Sequence, residues 1–246
     1  MPCPGHRRAI SLLLRPGIPD WHTAKRVLRR AFDIVLAAPG LALLSPLLAT
    51  IALAIKLDDG GPVMYCQYRV GKGLRKFRLL KFRSMHAGCG GGCLLTAPQD
   101  ARVTRVGRVL RKYKLDELPQ LVNVLKGEMQ LVGVRPQVER FVEIYPVEYG
   151  ELLQEPPGIT GPASLYFRNE EQMFHEGLIE AQYIRRILPI KLHMSLNYSR
   201  TRTFRSDVEI LFRTVLGLGA PSTVLREAGI GPGMPSLFKF ASRNSE

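Results

Sequence analysis

From Ile34 to Ile55 the chain carries no charged residue over 22 positions. That length reaches across a bilayer, and a core helix of a water-soluble protein seldom stays uncharged on every face for so long. The chain must therefore fold with this segment in lipid. Pro39-Gly40 and Ser45-Pro46 interrupt the run. Pro46, near its midpoint, removes a backbone hydrogen bond and crowds the preceding turn, so a bend is expected there, with the Ser45 hydroxyl available to a carbonyl the proline frees. Lys25, Arg26, Arg29 and Arg30 precede the run, while Lys56, Arg69, Lys72, Arg75 and Lys76 follow it. Basic flanks on both sides leave the positive-inside rule without a single cytoplasmic end to choose. A re-entrant helix-break-helix over residues 25–57 places both flanks in the cytoplasm; a Pro-kinked helix that crosses once fits these residues equally well.

Thirty-five Lys and Arg stand against 21 Asp and Glu, a formal charge of +14 over 246 residues. Such a surface calls for acidic partners: nucleic acid, anionic lipid or phosphorylated small molecules. Four cysteines are too few for a secreted disulfide scaffold. His86, Cys89 and Cys93 cluster in a Gly-rich segment without a fourth ligand, and read as a flexible loop with incidental thiols rather than a zinc site. Residues 1–24 read as a disordered basic arm; its apolar patch, Ile10 to Leu14, is too short for a signal-peptide core.

Beyond the turn at Asp58-Asp59-Gly60-Gly61-Pro62, Val63 to Val70 and Phe77 to Phe82 read as the arms of a β-hairpin joined by Gly71-Lys72-Gly73. Arg102, Arg105, Arg108 and Arg111 then form a cationic stripe on a helix. Leu131 to Gln137 is a Gly/Pro turn with Arg135 embedded, followed by a helix from about Pro136 to Ile144. Pro156 to Pro162 is a dense turn signal. Asn169 to Lys191 is helical in spacing, and Ser206 to Glu209 reads as a capping box before Ile210. These late helices are candidates for the membrane interface, with Arg185, Arg186, Lys191, Arg200, Arg202 and Arg205 toward head groups; ordinary core helices fit as well. The catalytic unit spans 58–216, and 217–246 reads as an irregular tail.

Within that unit, Lys114-Leu115-Asp116-Glu117-Leu118-Pro119-Gln120 sets two carboxylates ahead of a proline and an apolar helical run. Proline suits the first turn of a helix, so Asp116 and Glu117 are expected at its electropositive end, which favours their ionised forms and seats phosphate. Paired carboxylates amid cations suit a phosphorylated substrate that needs a nucleophile or a metal. A capping Asp beside a solvated Glu is the alternative these two residues leave open.

Taken in order, the Lys-Arg and Phe-Asp-Ile entry to the apolar run, Ser45-Pro46, Gly61-Pro62-Val63, Gln67 to Gly71, Lys81-Phe82-Arg83-Ser84-Met85, Arg105 to Arg111, Leu115 to Gln120, Asn123 to Gly127, Val132 to Pro136 and Pro157 to Gly161 resemble the bacterial sugar transferase family. These are the monotopic phosphoglycosyl transferases acting on polyprenyl phosphate. The resemblance covers about Lys25 to Leu216. It implies an α+β, mostly helical protein with a re-entrant membrane helix broken at Ser45 and Pro46, a small cytoplasmic catalytic unit with a short β-hairpin, and amphipathic interfacial helices at the bacterial inner membrane. It also implies a Mg²⁺-dependent ping-pong reaction. Asp116 would attack a nucleoside diphosphate sugar, UDP-linked in the usual case, and carry the phosphosugar to undecaprenyl phosphate. Glu117 would be metal ligand or acid/base partner, Asp116 would share the metal, and Arg111, Arg135, Lys81 and Arg83 would contact phosphate. A homodimer stays open; nucleic acid is not implied. The chain departs from the family's Gly-Pro-Arg-Pro-Glu at Val134 and Gln137, and from its Ala-Gln-x-x-Gly-Arg after Gly161, which bears on sugar preference and rate. The rival class is a non-enzymatic, membrane-anchored basic protein that binds nucleic acid or anionic lipid. It accounts for the charge and the apolar run but not for an acidic pair beside Pro119, and the aromatic interleaving of a single-strand binder is missing.

Overall fold

The computed structural model describes residues 20–88, 100–170 and 179–220. The arm before Asp20, the cysteine pair Cys89/Cys93 and the tail beyond Ala220 lie outside them. Helix α1 runs from Asp20 to Asp59, so residues 20–24, expected in the disordered arm, are helical. It is long and apolar enough to cross a membrane, and only 11% of its most apolar window is buried, which sets it apart from a core helix. The expected break does not appear as a loss of helix, because α1 continues through both prolines. At Pro46 a side-chain hydroxyl takes up the freed carbonyl. Pro46 cannot donate to Ala42, and Ser45 Oγ takes that carbonyl instead at 2.7 Å, while Thr50 Oγ1 donates to Pro46 O at 2.9 Å.

Strands β1 (Met64–Val70) and β2 (Lys76–Phe82) form the expected antiparallel hairpin, closed by a 3₁₀ turn over Lys72–Leu74. The glycines do the turning: Gly73 sits at φ 63°. Helix α2 (Arg105–Tyr113) follows, then a 3₁₀ turn over Leu115–Glu117 and α3 (Gln120–Lys126). The region read as a turn around Leu131 contains a short strand, β3 (Gln130–Val132), which pairs in parallel with β4 (Gly158–Thr160). Between them lie α4 (Glu139–Val142) and α5 (Pro146–Leu152), two short helices in place of the single one expected to Ile144. Then come α6 (Pro162–Tyr166), α7 (Ile179–Gln182), a π turn over Tyr183–Ile187, α8 (Leu188–Thr201) and α9 (Phe204–Val215). Helix α9 begins before the expected capping box: Thr203 caps it reciprocally with Ser206. Asp207 is instead buried, accepting from Tyr198 Oη at 2.6 Å and Arg202 Nε at 2.7 Å.

Two packing devices position the site. Asn123, fully buried on α3, substitutes for a strand neighbour of β2: its Oδ1 accepts from Leu80 N at 3.0 Å and its Nδ2 donates to Arg78 O at 2.8 Å. Gly107 lets α2 lie directly on the chain after β2, where a Cβ would come within 2.1 Å of Ser84 O. Ala37 of α1 joins Phe77, Leu79, Val124, Met129 and Leu131 in one core cluster; Ile51 and Ile55 join Phe82 and Leu110 in another. Both halves of α1 thus pack on the same globular unit.

Candidate active site

Asp116 and Glu117 sit in the 3₁₀ turn rather than in α3 itself, which starts at Gln120. Lys114 reverses the chain between α2 and that turn in the left-handed region, at φ 58°. A non-glycine residue there costs energy, and such strain collects at functional sites. Asp116 is 7% exposed and its Oδ1 has no hydrogen-bond partner. Burial raises its pKa, and the charge of Glu117 adds to this, against Lys81, Arg111 and Lys114. Burial and the neighbouring carboxylate thus work against the ionised form that the helix end was expected to favour, and the three cations work for it.

Glu117 differs. Arg135 grips it with both arms, Nη1 donating to Oε2 at 2.9 Å and Nη2 to Oε1. Burial opposes ionisation, but the Arg135 guanidinium overrides it and lowers the Glu117 pKa to about 2. The same contact raises Arg135 further above its ordinary range.

Of the expected phosphate contacts, Lys81, Arg111 and Arg135 converge on the dyad. Lys81 has its pKa lowered by burial, opposed by the charge of Asp116, and its Nζ lies 5.0 Å from the Tyr65 ring centroid. Arg111, in the last turn of α2, acts on both Asp116 and Lys81. Arg83 is not brought in. Strand β2 ends at Phe82, and Arg83, 6% exposed, pairs with Asp59 at the end of α1 instead.

Two cations were missed. Arg69 shares the inward face of the hairpin with Lys81; its Nε and Nη2 donate to Gln67 Oε1 at 3.1 and 2.7 Å, and Nη1 to Pro136 O at 3.3 Å. Burial, then repulsion from Arg135, lowers its pKa to about 10. The alternation of Gln67 and Arg69 in β1 was the available signal. Lys191, for which head groups and a core position were both left open, turns inward: its Nζ lies 5.3 and 5.1 Å from the Phe167 and Tyr183 rings and pairs with Glu170. Arg202, placed with it, is likewise interior and donates to Val132 O at 2.7 Å. At the departure position Gln137, Nε2 donates to Tyr183 Oη at 3.1 Å.

Among the described residues no group of three His, Cys, Asp or Glu side chains could by itself hold a metal. Two adjacent carboxylates, one with a buried unpartnered oxygen, fit an ion such as Mg²⁺ that completes its shell with water and substrate phosphate. Cations gathered around two carboxylates whose pKa values are pushed in opposite directions suit a phosphorylated substrate.

The profile of the bacterial sugar transferase family matches residues 24–219. The chain belongs to that family, and with it to the phosphoglycosyl transferases. It is 39% identical over 211 residues to the UDP-glucose:undecaprenyl-phosphate glucose-1-phosphate transferase of Caulobacter vibrioides, covering 84% of this chain and 75% of that protein. It is 40% identical over 194 residues to the UDP-N-acetylgalactosamine-undecaprenyl-phosphate N-acetylgalactosaminephosphotransferase of Aeromonas hydrophila, covering 76% of this chain and 43% of that protein. To the Escherichia coli glucose-1-phosphate transferase it is 38% identical over 209 residues, 81% of this chain and 43% of the relative. The chain thus spans less than half of the last two.

Proposed function

We propose that this protein transfers a sugar 1-phosphate from a UDP-sugar to undecaprenyl phosphate through a phosphosugar held on Asp116, as the first step in building a surface polysaccharide or other bacterial glycan. The observation that carries the reading is the buried Asp116 carboxylate, one oxygen unpartnered, beside a Glu117 already engaged by Arg135. An Asp116 oxygen forms a bond to the β-phosphorus while the bond from that phosphorus to the bridging oxygen breaks, and UMP leaves with the electron pair. An oxygen of undecaprenyl phosphate then attacks the same phosphorus, freeing the carboxylate. Leaving group and acceptor are both phosphates, ionised at neutral pH, so neither half requires a proton from Glu117. That favours Glu117 as metal and positioning group over acid/base partner. Asp116 and Glu117 would hold Mg²⁺, which supplies charge neutralisation at the diphosphate. Lys81 and Arg111 offset the repulsion between carboxylate and substrate. The diphosphate is the natural competitor for the Arg135 fork.

The re-entrant reading of α1 is supported by its packing: residues before Pro39 and after Pro46 lie on one globular unit, which suits a helix with both flanks at the cytoplasmic face. On α9, Phe204, Val208, Phe212 and Val215 form an exposed apolar row opposite the buried Asp207 and Ile210, and Phe204 stacks edge-on against Phe32 of α1 at 5.0 Å. This row continues the lipid-facing surface of α1, as an interfacial helix would.

The test uses detergent-solubilised full chain with Mg²⁺, undecaprenyl phosphate and UDP-glucose, UDP-galactose, UDP-N-acetylglucosamine or UDP-N-acetylgalactosamine. At least one sugar nucleotide should yield UMP with the wild type and none with Asp116→Asn. Release of UMP from none, or undiminished release by Asp116→Asn, contradicts the proposal.

A further inference from the structure

Arg30 and Asp33 lie one turn apart on the same face of α1. Arg30 donates from Nη1 to Val124 O and from Nη2 to Leu125 O at 2.8 Å, so its fork closes the last turn of α3. That helix begins three residues after Glu117. Asp33, 6% exposed, accepts at Oδ1 from Leu131 N of β3 at 3.1 Å. Arg135 lies four residues further along, and Arg202 holds the neighbouring Val132 O. One turn below Asp33, Ala37 is 1% exposed and packs with Val124, Met129 and Leu131. The hydrogen bonds of Arg30 and Asp33 thus go to the backbones of the two segments that carry Glu117 and Arg135.

We propose that Arg30 and Asp33 are positioning residues, through which the membrane helix sets the register of α3 against β3 and hence of Glu117 against Arg135. The proposal rests on the reading above, in which those two side chains serve the reaction. It gives the membrane helix a part in catalysis distinct from anchoring: a shift of α1 moves the two halves of the Glu117–Arg135 pair relative to one another. Misplacement of about 1 Å at a reacting centre costs on the order of a hundredfold in rate.

The experiment compares Asp33→Asn, Asp33→Ala and Arg30→Lys in the full chain in lipid nanodiscs, with whichever UDP-sugar of the panel the wild type turns over. Hydrogen exchange of the Leu131 amide is measured in parallel. Asn retains an acceptor for Leu131 N, so Asp33→Asn should keep kcat within about threefold of wild type and keep the amide protected. Asp33→Ala should accelerate Leu131 exchange and lower kcat by about tenfold or more, with KM for the sugar nucleotide unchanged. Lysine keeps the charge but gathers its donors on one nitrogen and loses the rigid fork that holds both carbonyls in fixed register, so Arg30→Lys should lower kcat and leave KM alone. If Asp33→Ala does not fold, Asp33→Asn and Arg30→Lys decide the matter. Equal kcat in Arg30→Lys and wild type, a kcat loss in Asp33→Asn despite a protected Leu131 amide, or an effect confined to KM overturns the proposal. Should no UDP-sugar be turned over, the reading of the site fails; the exchange arm then decides alone, and an unchanged Leu131 amide in Asp33→Ala refutes the clamp.

Discussion

Two adjacent carboxylates with opposite environments define the chemistry at the scale of the residue. Glu117 has a guanidinium on both oxygens, whereas Asp116 is buried with one oxygen unpartnered. A buried carboxylate kept short of partners costs stability, and the sign follows from its raised pKa. Between the ordinary value of 3.8 and the higher folded value the native state binds the extra proton, so stability falls as pH rises through that interval and the loss persists above it. Asp116→Asn removes the ionisation. In metal-free protein it should unfold at a higher temperature than wild type near neutral pH, with the difference closing below pH 3.8. A lower unfolding temperature for Asp116→Asn at neutral pH would show that the carboxylate is satisfied in a way its geometry does not suggest. Which cations gather here was only half legible in the sequence. Lys81 and Arg83 are two apart in one run, but alternation fixes a side chain's face only while the strand lasts, and β2 stops at Phe82. Lys191 and Arg202 were left open between head groups and the interior because nothing local distinguishes a solvated cation from one paired inside with Glu170 or Asp207.

Among the elements, the hairpin was readable because Gly71 and Gly73 punctuate two β-rich runs. The β3–β4 pair was not: three-residue strands carry no period, and their partners lie 28 residues apart in register Gln130 to Gly158. The start of α3 was legible from Pro119, but the 3₁₀ turn that holds the dyad depends on Lys114 adopting positive φ, a tertiary outcome. Helix α2 reaches its place only because Gly107 has no side chain, since its neighbour is the Ser84 backbone and not a side chain that can swing away. Gly107→Ala should therefore destabilise the protein by about 1–3 kcal/mol despite alanine's better helix propensity, and should lower turnover by displacing Arg111. Denaturant unfolding together with UMP release checks this. Stabilisation by Gly107→Ala would mean that α2 does not pack as described.

At the scale of the whole molecule, the described residues pack on both halves of a helix long and apolar enough for a membrane, and its topology is the point on which the sequence left two readings. The prolines were visible, and so was the Ser45 hydroxyl that takes the carbonyl Pro46 frees; that the helix runs on unbroken through Pro46 was not. If α1 enters and leaves by one face, cysteines from Thr23→Cys and Gly60→Cys, in a background without native cysteines, are both shielded from a membrane-impermeant thiol reagent on intact cells. Labelling at position 23 alone would mean a crossing helix. Pro46→Leu restores the missing N–H and should shift the helix toward crossing, exposing position 23.

The central claim is that Asp116 carries the sugar phosphate, and its mass is the direct measure. Wild-type protein incubated with the active UDP-sugar and Mg²⁺, without undecaprenyl phosphate, should gain one phosphosugar by intact-protein mass spectrometry. Peptide mapping should place it on Asp116, and added acceptor should discharge it. Stoichiometric UMP release with no adduct, or an adduct on any other residue, would contradict the account.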